Sequence, residues 1–143
     1  MGVLTSLAGS VEENVKGLEK LLETRGVEGV FTDFIAYNAA LHMLQTCVQA
    51  LIDMAFRVLS SLGEKPPDSY GEAAEALFRL GVLCRESRDK LKSMIGFRNI
   101  LIHRYLELDH ELLREILADK KFRDALKIAK EILEYAYQNG IDP

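Results

Sequence analysis

The sequence predicts an all-α fold: an antiparallel helical bundle of four main helices plus one or two short ones, built as a single domain over residues 1–143. Three observations carry this. Apolar residues recur at three- and four-residue steps along most of the chain. The prolines are confined to Pro66, Pro67 and the terminal Pro143, leaving every other stretch free to be helical. No segment alternates apolar and polar residues as a half-buried strand would. With 143 residues and 48% apolar content, the chain can bury one core and has no length for a second substantial domain.

In order along the chain, Leu4, Leu7, Val11, Val15, Leu18 and Leu22 form one apolar stripe with Glu12, Glu13, Lys16, Glu19 and Lys20 between them. This is an amphipathic helix that should end near the turn Gly26-Val27-Glu28-Gly29. Thr32 or Asp33 can cap the next helix, which runs to Gly63. Its apolar residues (Ile35, Ala40, Leu44, Val48, Leu51, Ala55 and Leu59 among them) cover much of its circumference, which places it at the bundle centre or against another subunit. Gly63 to Ser69 is a turn, and Ser69 with Glu72 reads as a capping box opening a short helix to about Leu80. A long helix follows from about Arg85 to Leu101–Tyr105, with Leu91, Met94, Ile95 and Leu101 inward. Asp109 can cap a short helix through Leu117. Asp119 can open the last helix, Phe122 to about Tyr137, and Gly140 stands just past its end.

Composition narrows the function classes. Charged residues at 28% beside a large apolar fraction exclude a disordered chain. No run of about 18 apolar residues is present to cross a bilayer. The N-terminus lacks a basic flank and meets Glu12-Glu13 at once, so it does not read as a signal peptide. Cys47 and Cys84 sit in apolar helical patterns without metal-type spacing, as expected of a reduced, cytoplasmic protein. The net charge of −4 argues against a uniformly basic nucleic-acid coat. Yet from Arg79 to Arg104 seven basic residues face only Glu86 and Asp89, which is how a localised anion site on an acidic body would look.

The segment Gly96-Phe97-Arg98-Asn99-Ile100-Leu101-Ile102-His103-Arg104-Tyr105 concentrates the chemistry. Arginine is a permanent cation whose planar fork matches phosphate oxygens, and histidine exchanges a proton near neutrality. On a helix Asn99 and His103 are four residues apart and can hydrogen-bond, and Arg98 and Tyr105, seven apart, share a face. Arg98 and His103 are five apart, hence about 140° around the axis and about 7.5 Å along it. They cannot both point at one small ligand from a single ideal helix, but they can line opposite walls of a cleft or meet across two copies of the chain. The alternative is structural: Arg98 pairs with a carboxylate and His103 packs at a helix end. Gln45, Gln49 and Asp53 repeat at four-residue steps near His42, either bracing Arg98 or His103 or forming a polar seam between subunits. His110 reads as a surface residue. With no Trp and 8% aromatics, no base-stacking platform is indicated. Neither a metal-ligand spacing nor a glycine-rich phosphate loop is found, so no cofactor and no metal are expected.

The run Arg98, four residues, His103, one residue, Tyr105 resembles the motif of the HEPN superfamily, and in particular of the HepT toxins paired with a minimal nucleotidyltransferase antitoxin. Met94-Ile95-Gly96-Phe97 before it and Leu108-Asp109 after it fit the same pattern. So do Ala50-Leu51-Ile52-Asp53-Met54-Ala55 and Pro67-Asp68-Ser69-Tyr70, and together these matches span roughly residues 32–135. The resemblance implies a homodimer and a metal-independent endoribonuclease site where the motifs of both subunits meet, acting on RNA and not DNA. It implies that Arg98 holds the scissile phosphate, that His103 is its general base or acid, and that Asn99 steers one of them. It further implies that the nucleotidyltransferase partner adenylylates Tyr105 and thereby blocks the site. Arg104 departs from the family, where an acidic residue is common. A second reading of the same residues is a non-catalytic, nucleotide- or substrate-binding helical partner of a nucleotidyltransferase, and a third is a purely structural dimeric bundle.

Overall fold

The helical pattern folds as read, in a computed structural model that describes residues 2–141; Pro143, named above, lies outside them. Six α-helices follow one another: α1 (Val3–Thr32), α2 (Phe34–Ser61), α3 (Tyr70–Arg79), α4 (Arg85–His103), α5 (His110–Ala118) and α6 (Asp124–Gln138). Single 3₁₀ turns occupy Tyr105–Glu107 and Lys121–Arg123. No strand occurs among the described residues.

The bundle's spine is the antiparallel pair α1–α2, the most extensive helix contact in the fold. Gly26 breaks α1 with φ 69°, a conformation open to glycine at little cost, and the chain resumes helical geometry to Thr32. The expected turn is therefore a kink inside α1. Asp33 makes the actual reversal: its carboxylate accepts from the Ile35 and Ala36 N–H groups, capping α2, and it also receives Arg25 at 2.5 Å. Gly17 lets the two helices close up, because a Cβ there would meet the Met43 sulfur at 2.7 Å.

Helix α2 is long and apolar enough to cross a membrane by length and composition alone, yet it is the core helix of the bundle. Leu51, Met54, Val58 and Leu59 are sealed from solvent against α1, α3, α4 and α6. Ser69 caps α3 by accepting from Glu72 N–H, and the Glu72 carboxylate returns to Asp68 N–H, one residue beyond an ideal capping box. The N-terminus of α4 is held from α6: Glu131 accepts from Cys84 N–H and from the hydroxyl of Ser87, which is fully buried.

Asp119 does not open the last helix. It ends α5, and Lys120 at φ 52° turns the chain into the 3₁₀ turn from which α6 starts at Asp124. Beyond α6, Gly140 at φ 65° lets Ile141 N–H bond back to Ala136 C=O, the closing bond of a Schellman cap. Both cysteines are free, and burial pushes the Cys47 thiol up to about 12, so it behaves as a small apolar side chain.

Asp109 caps α5 by accepting from the Glu111 and Leu112 N–H groups. Asp109→Ala is expected to cost about 1 kcal/mol. A chemical-denaturation midpoint with an unchanged slope would report it.

Candidate active site

Arg98 projects from α4 toward α2, and its environment decides between the two sequence readings. One terminal nitrogen donates to Gln49 Oε1 at 2.7 Å and the other to Asn99 Oδ1 at 3.1 Å. Gln49 is oriented in turn by donating its amide to Asp53 Oδ1 at 2.9 Å. The guanidinium carbon lies 5.0 Å from the centre of the Tyr70 ring, and Tyr70 is set edge-on against Phe56 with ring centres 5.7 Å apart. Among the described residues Arg98 thus pairs with no carboxylate. Its bonding partners are neutral amides and an aromatic face, which orient the cation without cancelling its charge. Its Nε is buried and has no acceptor among the described residues.

The other cations of the segment behave differently. Arg79 pairs with Glu64, Arg88 with Glu75 and Asp89, Lys90 with Glu86 and Asp124, Lys92 with Glu75, and Arg104 with Glu107. The broad basic stretch of the sequence is therefore mostly neutralised, because its counter-charges arrive from other helices and from one turn away. Of this segment's cations, Arg85, exposed at the start of α4, and Arg98 are left without a carboxylate partner among the described residues, and of the two only Arg98 is held in place by neutral groups.

His103 is the last residue of α4 and is exposed, with no hydrogen-bond partner among the described residues. No Asn99–His103 bond is found among the described residues; the Asn99 side-chain oxygen accepts from Arg98 instead. Arg98 and Tyr105 do not share a face either. Arg104 leaves helical geometry at φ −139°, ψ 48°, so Tyr105 starts the 3₁₀ turn; partial burial, and then the neighbouring Tyr105, push the Tyr37 phenol of α2 above its ordinary range. Tyr105, Gln45, Asn38, Leu41, His42 and Leu101 line a pocket of about 190 Å³. Of the three polar residues on α2, Gln49 and Asp53 thus serve Arg98, whereas Gln45 faces the Tyr105 pocket one turn away.

Two residues of this region were not singled out for a role in the sequence. Tyr70 appeared only within a matched run, and its place under Arg98 depends on how α3 docks on α2. His110, read as a surface residue, is exposed but hydrogen-bonded to the Tyr37 hydroxyl at 3.3 Å. A larger cavity, about 610 Å³, opens between α2, α4, α5 and α6, lined by Leu44, Val48, Met94, Phe97, Ile116 and Phe122 among others. It is apolar, and Arg98 and His103 line neither it nor the smaller pocket. No group of three or more His, Cys, Asp or Glu side chains among the described residues is placed to hold a metal ion.

Comparison with known proteins identifies the chain's relatives. The family profile described as ribonuclease HepT-like matches residues 11–132. The mRNA nuclease HepT of Shewanella oneidensis is 28% identical over 85 residues, covering 59% of this chain and 64% of that protein. A candidate RNase of Archaeoglobus fulgidus is 30% identical over 87 residues, 61% of this chain and 65% of that one. The matched region thus spans a little under two-thirds of either relative. In three dimensions the chain superposes on a tri-AMPylated HEPN toxin of Shewanella oneidensis, solved in complex with MNT antitoxin, with a TM-score of 0.83 and 21% identity, covering 94% of this chain and 99% of that one.

Proposed function

The chain belongs to the HepT-like ribonuclease family, and from that premise we propose that it is an endoribonuclease toxin that cleaves RNA without a metal ion, at a cleft formed by Arg98 and His103 of two copies. The observation that carries this is the state of Arg98: a half-buried guanidinium oriented by Gln49, Asn99 and Tyr70, with no counter-ion among the described residues. A cation fixed in this way costs little further ordering when an anion arrives, and it stabilises charge that grows on a phosphoryl oxygen during reaction.

His103 supplies the proton transfer. In RNA the 2′-hydroxyl attacks the adjacent phosphorus, its proton goes to a base, and the leaving 5′-oxygen takes a proton from an acid. An exposed imidazole with no competing partner can serve at either step. Asn99 holds Arg98 in place. Gln49 and Asp53 act behind it as positioning residues, and Gln45 takes no part in holding Arg98. The spacing that keeps Arg98 and His103 apart on one helix makes a two-fold dimer the natural way to assemble the site.

Control is by the partner. A minimal nucleotidyltransferase would adenylylate Tyr105, which is 45% exposed just past His103 and so accessible. The added anionic phosphate would then stand at the mouth of the cationic site and repel RNA. The setting is the cytoplasm, and the expected substrate is RNA rather than DNA, whose missing 2′-hydroxyl removes the nucleophile.

The test is intact mass and RNA cleavage in EDTA, on protein made with and without the partner nucleotidyltransferase. AMP-sized increments mapped to Tyr105, with cleavage only by the unmodified form, are the expected result. Adenylylation with no cleavage by clean unmodified protein would replace the proposal with the non-catalytic binding partner. Cleavage lost in EDTA and restored by a divalent metal would overturn the metal-independent chemistry.

A further inference from the structure

One helical turn from Gln49, α2 carries polar side chains that the Arg98 cluster does not use. Gln45 precedes Gln49 by four residues, which puts it on the same side of the helix and about 6 Å along its axis. It lines the pocket of about 190 Å³ together with Asn38, Leu41, His42, Leu101 and Tyr105. Leu101 follows Arg98 by three residues on α4, so the pocket continues the α2–α4 groove in which the guanidinium meets Gln49.

The lining has apolar walls and directional polar groups. Leu41 and Leu101 are buried, whereas His42 and Tyr105 are exposed and bring flat rings to the rim. His42 is steadied by Thr46, whose hydroxyl lies 3.4 Å from Nε2. The Gln45 amide has no hydrogen-bond partner among the described residues, so it can donate and accept at once. Asn38 has only one end to offer. Its Nδ2 donates to the Phe34 carbonyl at 2.8 Å, and because a carbonyl can only accept, the amide is fixed with Oδ1 left as a free acceptor.

We infer that this pocket receives one base of the RNA, beside the phosphate held by Arg98, and selects an adenine or a cytosine. This rests on the reading of the chain as a nuclease that holds the scissile phosphate on Arg98. The step from a backbone phosphate to a neighbouring base is comparable with the ~5.4 Å of one helical turn. Adenine and cytosine both carry an exocyclic amino group next to a ring nitrogen that accepts. Gln45 matches that edge twice: Oε1 accepts from the amino group and Nε2 donates to the ring nitrogen. The second amino hydrogen goes to Asn38 Oδ1. Uracil and guanine place a carbonyl oxygen where that amino group would be, which sets oxygen against the Asn38 oxygen and rejects them. The faces of the base lie against Leu41 and Leu101, a contact that adds affinity for any base.

Binding of uncleavable RNA tests this apart from catalysis. Short 2′-O-methyl oligonucleotides of A, C or U keep the phosphates and base edges and lack the nucleophilic hydroxyl, and fluorescence anisotropy reads their affinity. The wild-type protein is expected to bind oligo(A) and oligo(C) about tenfold more tightly than oligo(U), the scale of one matched amide–base pair. Gln45→Met and Asn38→Leu each remove one part of the edge match and should each bring that ratio close to one. Arg98→Ala should weaken all three strands alike and keep the ratio, because a phosphate contact carries no sequence information. A wild-type ratio near one, or a ratio that neither Gln45→Met nor Asn38→Leu moves, would overturn the pocket. A protein that shows the preference with these strands yet cuts no RNA bearing a free 2′-hydroxyl would keep the pocket and remove the nuclease reading instead.

Discussion

Mixing Arg98→Ala protein with His103→Ala protein is expected to restore RNA cleavage to about a quarter of the wild-type rate, from two inactive components. Each variant alone should lose at least ~10²-fold, the range for removing a positioned proton-transfer group or a charge-stabilising donor. The recovery follows from geometry. Arg98 points to Gln49 and Tyr70, whereas His103 ends α4 in solvent. If a site takes Arg98 from one subunit and His103 from the other, each mixed dimer keeps one intact site out of two. Random re-association makes half of the dimers mixed. If instead both residues act within one chain, no mixed dimer holds an intact pair and the mixture stays dead. Sedimentation of the same samples reports the oligomer directly, and a monomer that cleaves RNA at the wild-type rate would remove the two-subunit site altogether.

Leu51→Ala is expected to destabilise the fold by roughly 3 kcal/mol, which lowers the melting temperature by about 10 °C. Leu51 is fully buried on the central helix, with α1, α3, α4 and α6 all packed against that helix, so no neighbour can move in without leaving another. The same helix carries Gln49 and Asp53 on its polar side. Cleavage measured well below the melting transition should therefore fall by less than in Arg98→Ala. Thermal melts followed by circular dichroism check the first statement and a cleavage assay at low temperature checks the second. A shift of less than about 2 °C would mean that the core relaxes around the deletion, against the close packing seen here.

Most of the architecture could be read along the chain because helices announce themselves locally. The three- and four-residue apolar steps placed α1, α2 and α4, and the caps at Asp33, Ser69 and Asp109 formed where short polar side chains precede apolar runs. Where the reading slipped, a competing local conformation had won. Gly26 kinks α1 without ending it, and Lys120 adopts a left-handed conformation that delays α6 to Asp124. The sequence signal for a turn was present in both places, but the signal does not say how many residues the turn will take.

The candidate site divides along the same line. Which side chains could bind a phosphate or move a proton is a property of residue type, so Arg98, Asn99, His103 and Tyr105 were visible as chemistry before any fold was known. The chain by itself also settles the helical class, the single core and the family pattern, since these rest on periodicity and on neighbours within a few turns. Only the tertiary structure decided that Arg98 meets Gln49 and Tyr70 and no carboxylate among the described residues, that Arg79, Arg88, Lys90 and Lys92 find Glu64, Glu75 and Asp124 on other segments, and that Tyr105 leaves the helix to line a pocket with Asn38, His42 and Gln45. The physical reason is range. Helix formation is governed by contacts between residues three and four apart, whereas the charge and basicity of a site depend on which groups from distant helices are brought within a few ångströms, and sequence spacing does not encode that distance.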